Sequence, residues 1–457
     1  MKQNNSPWLT QLDHARSLRT ADADMTTNVV IIGGGIAGVT TLYFLLKHTD
    51  KKIVLVEANR LAHGATGHNA GQVVAEFERP LAHIAKEFGV KKAIDGLASV
   101  EDAWVLLDDI FNDTGLTIPF REFIGYSGYS DVAPLLEELE TELLRSQHGL
   151  VHFPTLVARE SGWMQSIPHK FHAICTEVDS VLISELLDIH QTNYHAVIPN
   201  RAATLNSALF TEMLALWCVE QYPDRVSLFE KSSVHGIELK SEHPQVLTDL
   251  VTITCDQVVL CTNGFENFYI KDKAGLAIDT KFHHEVRGVV GYMTGYLTNK
   301  ELNPMANRYY EEGLKGEGEF QKDRFSDIYF YITRRKFGSE SSNEYLLAIG
   351  GPEAGLVERE IYFNEFDVPE KMRDDAITFA QKYFPVSEFD QKFFWHGLMG
   401  YTRTGIRLVG PEPLDNRLMY NLGCNGVGIL PSIMGARKIA RHINTEHLPD
   451  TIFDPKR

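Results

Sequence analysis

The stretch Asn28-Val29-Val30-Ile31-Ile32-Gly33-Gly34-Gly35-Ile36-Ala37-Gly38-Val39 decides how the chain folds. Asn28–Ile32 is a continuous apolar run, the pattern of a strand buried on both faces. From Ile36 onward the apolar residues change spacing, and Val39, Leu42 and Leu46 fall on one helical face. Lys51-Lys52 then introduces a second apolar strand, Ile53–Val56, which ends at Glu57. This is a βαβ unit of about thirty residues. Gly33-x-Gly35-x-x-Gly38 sits between its first strand and its helix. The first glycine allows the tight turn, the second lets a pyrophosphate approach the backbone, and the third packs helix on strand. The helix N-terminus offers free N–H groups and the positive end of its dipole to an anion. Glu57, nineteen residues after Gly38, is placed to accept hydrogen bonds from ribose hydroxyls. A plain glycine-rich turn between strand and helix leaves Glu57 unexplained.

The charge-free stretch Asn28–Leu46 is long enough to resemble a membrane span, but its central glycines fit strand, turn and helix better. No basic, apolar, small-residue order of a signal peptide opens the chain. Residues 1–26 are polar and aperiodic and are expected to wrap over the body as an extended arm. With 44 basic and 61 acidic residues, the net charge of −17 argues against a nucleic-acid or anionic-membrane surface. Five cysteines (Cys175, Cys218, Cys255, Cys261, Cys424) form no C-x-x-C pair and read as the reduced thiols of a cytoplasmic protein. No spacing suits a metal; His283-His284 are adjacent rather than four apart and read as a surface or strand pair.

At 457 residues the chain has room for two packed domains. Ser207–Tyr222 reads as a helix. Val226–Phe229, Ser233–Leu239, Val251–Thr254, Gln257–Cys261 and Leu418–Leu422 read as strands, and Ile433–Ile443 as a closing helix. Blocks 76–200 and 271–390 differ in character, mixing charged helices with longer strands such as Ile328–Thr333 and Tyr345–Ile349. The expected architecture is α/β: a Rossmann-like dinucleotide-binding domain from residues 27–75, 201–270 and 391–457. An α+β substrate domain with a mixed sheet, residues 76–200 and 271–390, is interleaved with it.

Gly64-Ala65-Thr66-Gly67-His68-Asn69-Ala70-Gly71-Gln72 resembles the glycine-rich turn that passes beside the flavin in the D-amino-acid oxidase family of flavoproteins. That family includes glycine oxidase, sarcosine oxidase, dimethylglycine dehydrogenase and γ-glutamylputrescine oxidase. Val258–Gly264 is similar to the strand and turn that return to its cofactor domain. Trp395-His396-Gly397-Leu398 through Gly410-Pro411, with Gly423–Gly428, is similar to its C-terminal flavin-facing segment. The resemblance implies FAD, held by Gly33, Gly35, Ile36, Ala37, Gly38 and Glu57, and by Ala65, Thr66, His68, Asn69, Gly71 and Gln72. It extends to Val234, Thr262, Asn263 and Gly264, and to Gly397, Asn425, Gly426, Val427, Gly428 and Ile429. His68 falls on the histidine that carries the flavin 8α-methyl link in the dimethylglycine-dehydrogenase group, but the tryptophan before it there is Gly67 here. Noncovalent FAD is therefore expected, with a covalent bond through His68 as the alternative.

The resemblance also implies oxidation of the C–N bond of an amine or amino acid by hydride transfer to flavin N5, followed by imine hydrolysis. The alternative is a flavoprotein subunit or redox partner without small-molecule turnover. A family arginine that holds the substrate carboxylate falls on Arg334, in Tyr329–Arg334, with Arg335 adjacent in register. A second family arginine is Met399 here, and the aspartate a few residues later is Thr404. Arg403 and Arg407 are candidates to compensate, and Tyr331 and Tyr401 are candidates to line the pocket and orient the amine.

Overall fold

The computed structural model describes residues 4–189, 193–265, 267–278, 286–311, 329–339, 341–351, 353–356, 362–365 and 368–455. The expected His283-His284 pair and the first residue of the expected strand Ile328–Thr333 lie outside the described residues.

The opening motif folds as read. Met25–Ile32 and Ile53–Val56 are parallel neighbours joined by the helix Ile36–His48. Parallel strands Val226–Phe229, Ile53–Val56, Met25–Ile32, Thr252–Leu260 and Asp415–Leu422 lie side by side in that order. The apolar run alternates between two cores, as a strand must. Val29 and Ile31 join the cluster under the helices, while Val30 and Ile32 join the cluster on the opposite face. Helices Ser207–Gln221 and Ile429–Ile443 pack against Ile36–His48 on the first face. The closing helix begins four residues earlier than its sequence pattern indicates, which brings its N-terminus to the Gly426–Gly428 loop. Val251–Thr254 and Gln257–Cys261, read as two strands, are one strand, Thr252–Leu260. Cys255 pairs with Thr27 of the neighbouring strand, while the first half of the long strand pairs antiparallel with Gln245–Thr248 and the second half parallel with Asp415–Leu422.

The second sheet is mixed and eleven-stranded. Its centre runs Val286–Thr298, Tyr345–Gly350, Phe330–Lys336, Met305–Tyr310, Arg121–Tyr129, Ala196–Thr204. Asp390–Thr402, expected among the cofactor segments, pairs antiparallel with Val286–Thr298 in this sheet. Gln72–Val74 pairs with Ala196–Thr204 and is the other crossing point between the sheets.

The N-terminal arm is more than a wrapping. Trp8 is fully buried among Leu346, Phe393 and Trp395. Arg16 donates to both oxygens of Glu230 at 2.7 and 2.8 Å and to Glu212 at 3.0 Å, pinning the arm to the first sheet.

Candidate active site between the two sheets

One cavity of about 360 Å³ runs from the glycine-rich turn of the first sheet to the inner face of the second. Its first end is built by close backbone approach. Gly33 has φ +109°, and a Cβ there would meet the Cys261 carbonyl oxygen at 2.7 Å. A Cβ on Gly38 would stand 1.9 Å from the Gly33 carbonyl oxygen, so Gly38 serves helix–strand packing and does not line the cavity. Gly35 faces the cavity beside Thr66, whose hydroxyl accepts from the Ile36 N–H at 2.9 Å. Glu57 accepts from the N–H groups of Gly34 at 2.7 Å and Asn59 at 2.8 Å. Burial pushes its carboxyl upward, and those two bonds oppose the shift.

The turn that carries His68 is fastened on every side. Asn69 Oδ1 accepts from the Gly71 N–H, and Asn69 Nδ2 donates to Ser207 Oγ, both at 2.9 Å. Thr333 Oγ1 donates to the Ala70 carbonyl at 2.8 Å, and Gln72 Nε2 to the Ile332 carbonyl at 2.9 Å. His68 is buried, and Nδ1 lies 2.9 Å from the Gly64 carbonyl. A carbonyl only accepts, so Nδ1 carries the proton and the ring lone pair is at Nε2. Burial lowers the His68 pKa to about 4, so the ring is neutral at physiological pH. Gly397 must be glycine because a Cβ there would lie 2.7 Å from the His68 carbonyl oxygen.

Among the expected cofactor-binding residues, all but Gly38, Gly264 and Asn425 line this cavity. Gly264 instead packs on Met399 and Gly400. Asn425, at φ 47°, accepts from the Thr402 N–H at 2.7 Å and shapes the loop from behind. Asn263 is a wall residue whose Oδ1 is used by the N–H groups of Gly400 and Cys424.

Arg407 was one of two candidates to compensate for the missing arginine; Arg403, the other, is exposed. Arg407 is buried in the cavity wall and donates to Asn421 Oδ1 at 2.7 Å and to the Asn421 carbonyl at 3.0 Å. Burial lowers its pKa to about 10. Among the described residues no carboxylate pairs with it. A buried guanidinium facing a cavity without a counter-charge fits an anionic group, as FAD carries. Together with the Gly35 opening, this wall fits FAD.

The profile of the FAD dependent oxidoreductase (DAO) family matches residues 28–442. The chain belongs to the FAD dependent oxidoreductase family. The fold agrees with glycine oxidase from Geobacillus kaustophilus: TM-score 0.66, 15% identity, 94% of this chain and 99% of that chain. It also agrees with L-proline dehydrogenase from P. horikoshii: TM-score 0.67, 15% identity, 94% and 97% of the two chains. Curated relatives match over shorter stretches. The putative Rieske 2Fe-2S iron-sulfur protein YhfW of Bacillus subtilis (strain 168) is 36% identical over 86 residues, 19% of this chain and 16% of that protein. Gamma-glutamylputrescine oxidoreductase of Escherichia coli (strain K12) is 32% identical over 74 residues, 16% of this chain and 17% of that protein. The matched stretch thus spans about a sixth of either curated relative.

The second end of the cavity corrects the substrate-site expectation. Phe330, Ile332 and Arg334 share one face of their strand, with Phe330 and Ile332 packed against Phe379 and Tyr383. Arg334 follows them away from the cavity and is ion-paired with Asp188 at 2.5 Å. Arg335 shares the other face with Tyr331, but lies over the Trp8 ring at 5.7 Å and does not line the cavity. Neither arginine is therefore positioned to hold a substrate carboxylate. Tyr331 does line the cavity. Its ring lies across Gly350, where a Cβ would come within 2.1 Å of it. Tyr401 stands just behind the wall, with its hydroxyl 3.4 Å from Glu353 Oε2.

The side chains found at this end were not read from the sequence. Arg308, on Met305–Tyr310, is ion-paired with Glu76. The Tyr329 hydroxyl donates to Glu78 at 3.0 and 3.2 Å, and Glu353 completes the group. The alternation in Ala75-Glu76-Phe77-Glu78, directly after the glycine-rich turn, was the available signal, since period-two spacing puts two carboxylates on one side. Among the described residues no group could hold a metal ion, and no helix is long and apolar enough to cross a membrane.

Proposed function

We propose that the protein oxidises the C–N bond of an amine; FAD held by the Gly35–Glu57–His68 wall would supply the hydride acceptor at N5, and water would hydrolyse the imine product. The observation that carries this reading is the single cavity, which joins the Gly35–Glu57–His68 wall to the Tyr331–Glu353–Arg308 end without a break. A mostly apolar chamber with a few placed charged and hydroxyl groups, continuous with the cofactor wall, is the form of a small-molecule site.

The residues here bind and orient. Glu353 and Glu78 attract a protonated amine, Tyr331 lines the cavity beside them, and the Tyr401 hydroxyl reaches Glu353 from behind the wall at 3.4 Å. Glu353 is the candidate to take the ammonium proton, since only a neutral amine donates a hydride readily. Among the described residues the end opposing the cofactor wall carries three carboxylates, Glu76, Glu78 and Glu353, and one guanidinium, Arg308, which is ion-paired with Glu76. That balance favours an amine over a simple α-amino acid. The noncovalent reading of FAD is kept, because the tryptophan that precedes the linked histidine in the dimethylglycine-dehydrogenase group is Gly67 here and His68 Nδ1 is engaged by the Gly64 carbonyl. For the compartment we infer the cytoplasm, supported by five free thiols.

Anaerobic mixing of the yellow protein with amines and with amino acids tests the reading. Bleaching by amines at lower concentrations than by amino acids of similar size is expected. Bleaching by neither class favours a subunit or redox partner.

A further inference from the structure

The strand Val286–Thr298 carries Gly288, Gly291 and Gly295, and of these only Gly291 lines the cavity. Glycine inside a strand weakens it and calls for a reason. For Gly288 and Gly295 the reason is packing. A Cβ would meet Leu356 Cδ1 at 2.7 Å at the first, and Phe393 Cβ and Trp395 Cζ3 at 3.1 Å at the second. Gly291 has no such reason in the fold. It is not among the glycines with positive φ. The register shift of its strand lies four residues on, between Gly295 and Tyr296. The three atoms nearest to a Cβ there would be Met399 Cε at 3.2 Å, Tyr331 Oη at 3.7 Å and Glu353 Cγ at 4.0 Å. All three belong to side chains of the cavity wall. Close approach of a ligand is the remaining reason for a bare backbone in a strand.

The place of Gly291 fits that reason. It pairs across the ladder with Gly397, whose own bare backbone lies against the His68 turn. The space over Gly291 therefore adjoins the cofactor wall. Contacts of 3.2–4.0 Å on three sides leave room for one methyl-sized group. Met399 stands where the family resemblance places an arginine, so this space is apolar on one side and polar on the Glu353 side.

We infer that Gly291 sets the specificity of the site by leaving room for one small alkyl group on the C–N unit of the substrate. The substrate class is then an amine branched by a single carbon, at the nitrogen or at the carbon that gives up its hydride. Met399 covers that branch, while Glu353 and Tyr331 face the nitrogen beside it. This rests on the amine reading of the cavity.

The test uses the flavin-loaded full chain in anaerobic mixing, with hexylamine, N-methylhexylamine and 2-aminoheptane as probes. At least one of the two branched amines should half-saturate flavin reduction about tenfold below hexylamine, as one carbon in a fitted apolar pocket does. Which of them does so identifies the branched atom. Gly291→Ala puts its own methyl into the space, and the advantage over hexylamine should vanish or reverse. Met399→Ala widens the space. The matching propyl compound, N-propylhexylamine or 4-aminononane, should be at least tenfold weaker than its methyl counterpart in wild type and within threefold of it in Met399→Ala. Should Gly291→Ala not fold, Met399→Ala decides. Branched amines no better than hexylamine in wild type would refute the inference and leave the amine reading standing. So would an advantage that survives Gly291→Ala, or a propyl compound that stays tenfold weaker in Met399→Ala. Flavin that no amine reduces would refute the amine reading, and the inference with it.

Discussion

Trp8 Nε1 donates to the Asn69 carbonyl oxygen at 2.6 Å, across 61 residues of sequence. The Ser6 hydroxyl donates to the Gly67 carbonyl at 2.5 Å, and Trp395 Nε1 reaches the same Asn69 oxygen at 3.3 Å. The arm therefore supports the underside of the turn whose upper side is the cofactor wall.

Trp8→Ala should destabilise the protein by about 3–5 kcal/mol, the usual cost of truncating a buried tryptophan. It should also release flavin, since Gly71 lies against the Trp8 ring and loses its support. Thermal unfolding and the ratio of visible to ultraviolet absorbance of the purified protein check both effects. A variant that loses stability but keeps full flavin content would separate the arm from the cofactor wall.

Arg407→Met keeps the volume of the side chain and removes its charge. Flavin affinity should fall at least tenfold, about 1.4 kcal/mol, while the apoprotein remains folded, because a buried unpaired guanidinium is costly without an anion. Dissociation constants from flavin fluorescence quenching measure the change.

His68 yields a pH dependence with a definite sign. Its folded pKa, about 4, lies below the value of 6.5 for a free histidine. Its contribution to stability is thus present above pH 6.5 and is lost as pH falls towards 4. The full difference is about 3 kcal/mol. Buried carboxyls with raised pKa values, such as Glu142, act in the opposite sense, so wild type and His68→Gln should be compared. Between pH 7 and pH 5, unfolding temperatures should fall further in wild type than in the variant.

Arg334→Met removes the pair with Asp188, whose side chain is more than half exposed. The cost to stability should be about 1 kcal/mol or less. Half-saturating substrate concentrations should not move for any amine or amino acid, in contrast to Arg308→Met, which leaves Glu76 without its partner at the cavity. Flavin-reduction titrations with both variants distinguish the two arginines.

The cofactor half of the site was legible because its function is a backbone property. Gly33 and Gly38 are required by backbone contacts that no side chain tolerates, Gly35 opens the backbone to the cavity, and such requirements show in sequence. The substrate half depends on which face of a strand points inward, and there the register failed. Phe330 and Ile332 bind the strand to Phe379 and Tyr383 and carry Arg334 with them to that side. Its neighbour Arg335 does turn inward, but the arm's Trp8 covers it, and the arm had no readable periodicity. Arg308 and Glu76 come from segments more than two hundred residues apart, and only the sheet pairing brings them together. The same pairing explains Asp390–Thr402, which carries Gly397 to the cofactor wall while belonging to the other sheet.

Product analysis of a single anaerobic turnover tests the central claim most directly. The flavin-loaded protein, mixed with an amine that bleaches it, should yield one carbonyl product and one released amine or ammonia for each flavin reduced. Complete bleaching without a carbonyl product, or flavin that dithionite reduces but no amine does, would contradict the assignment.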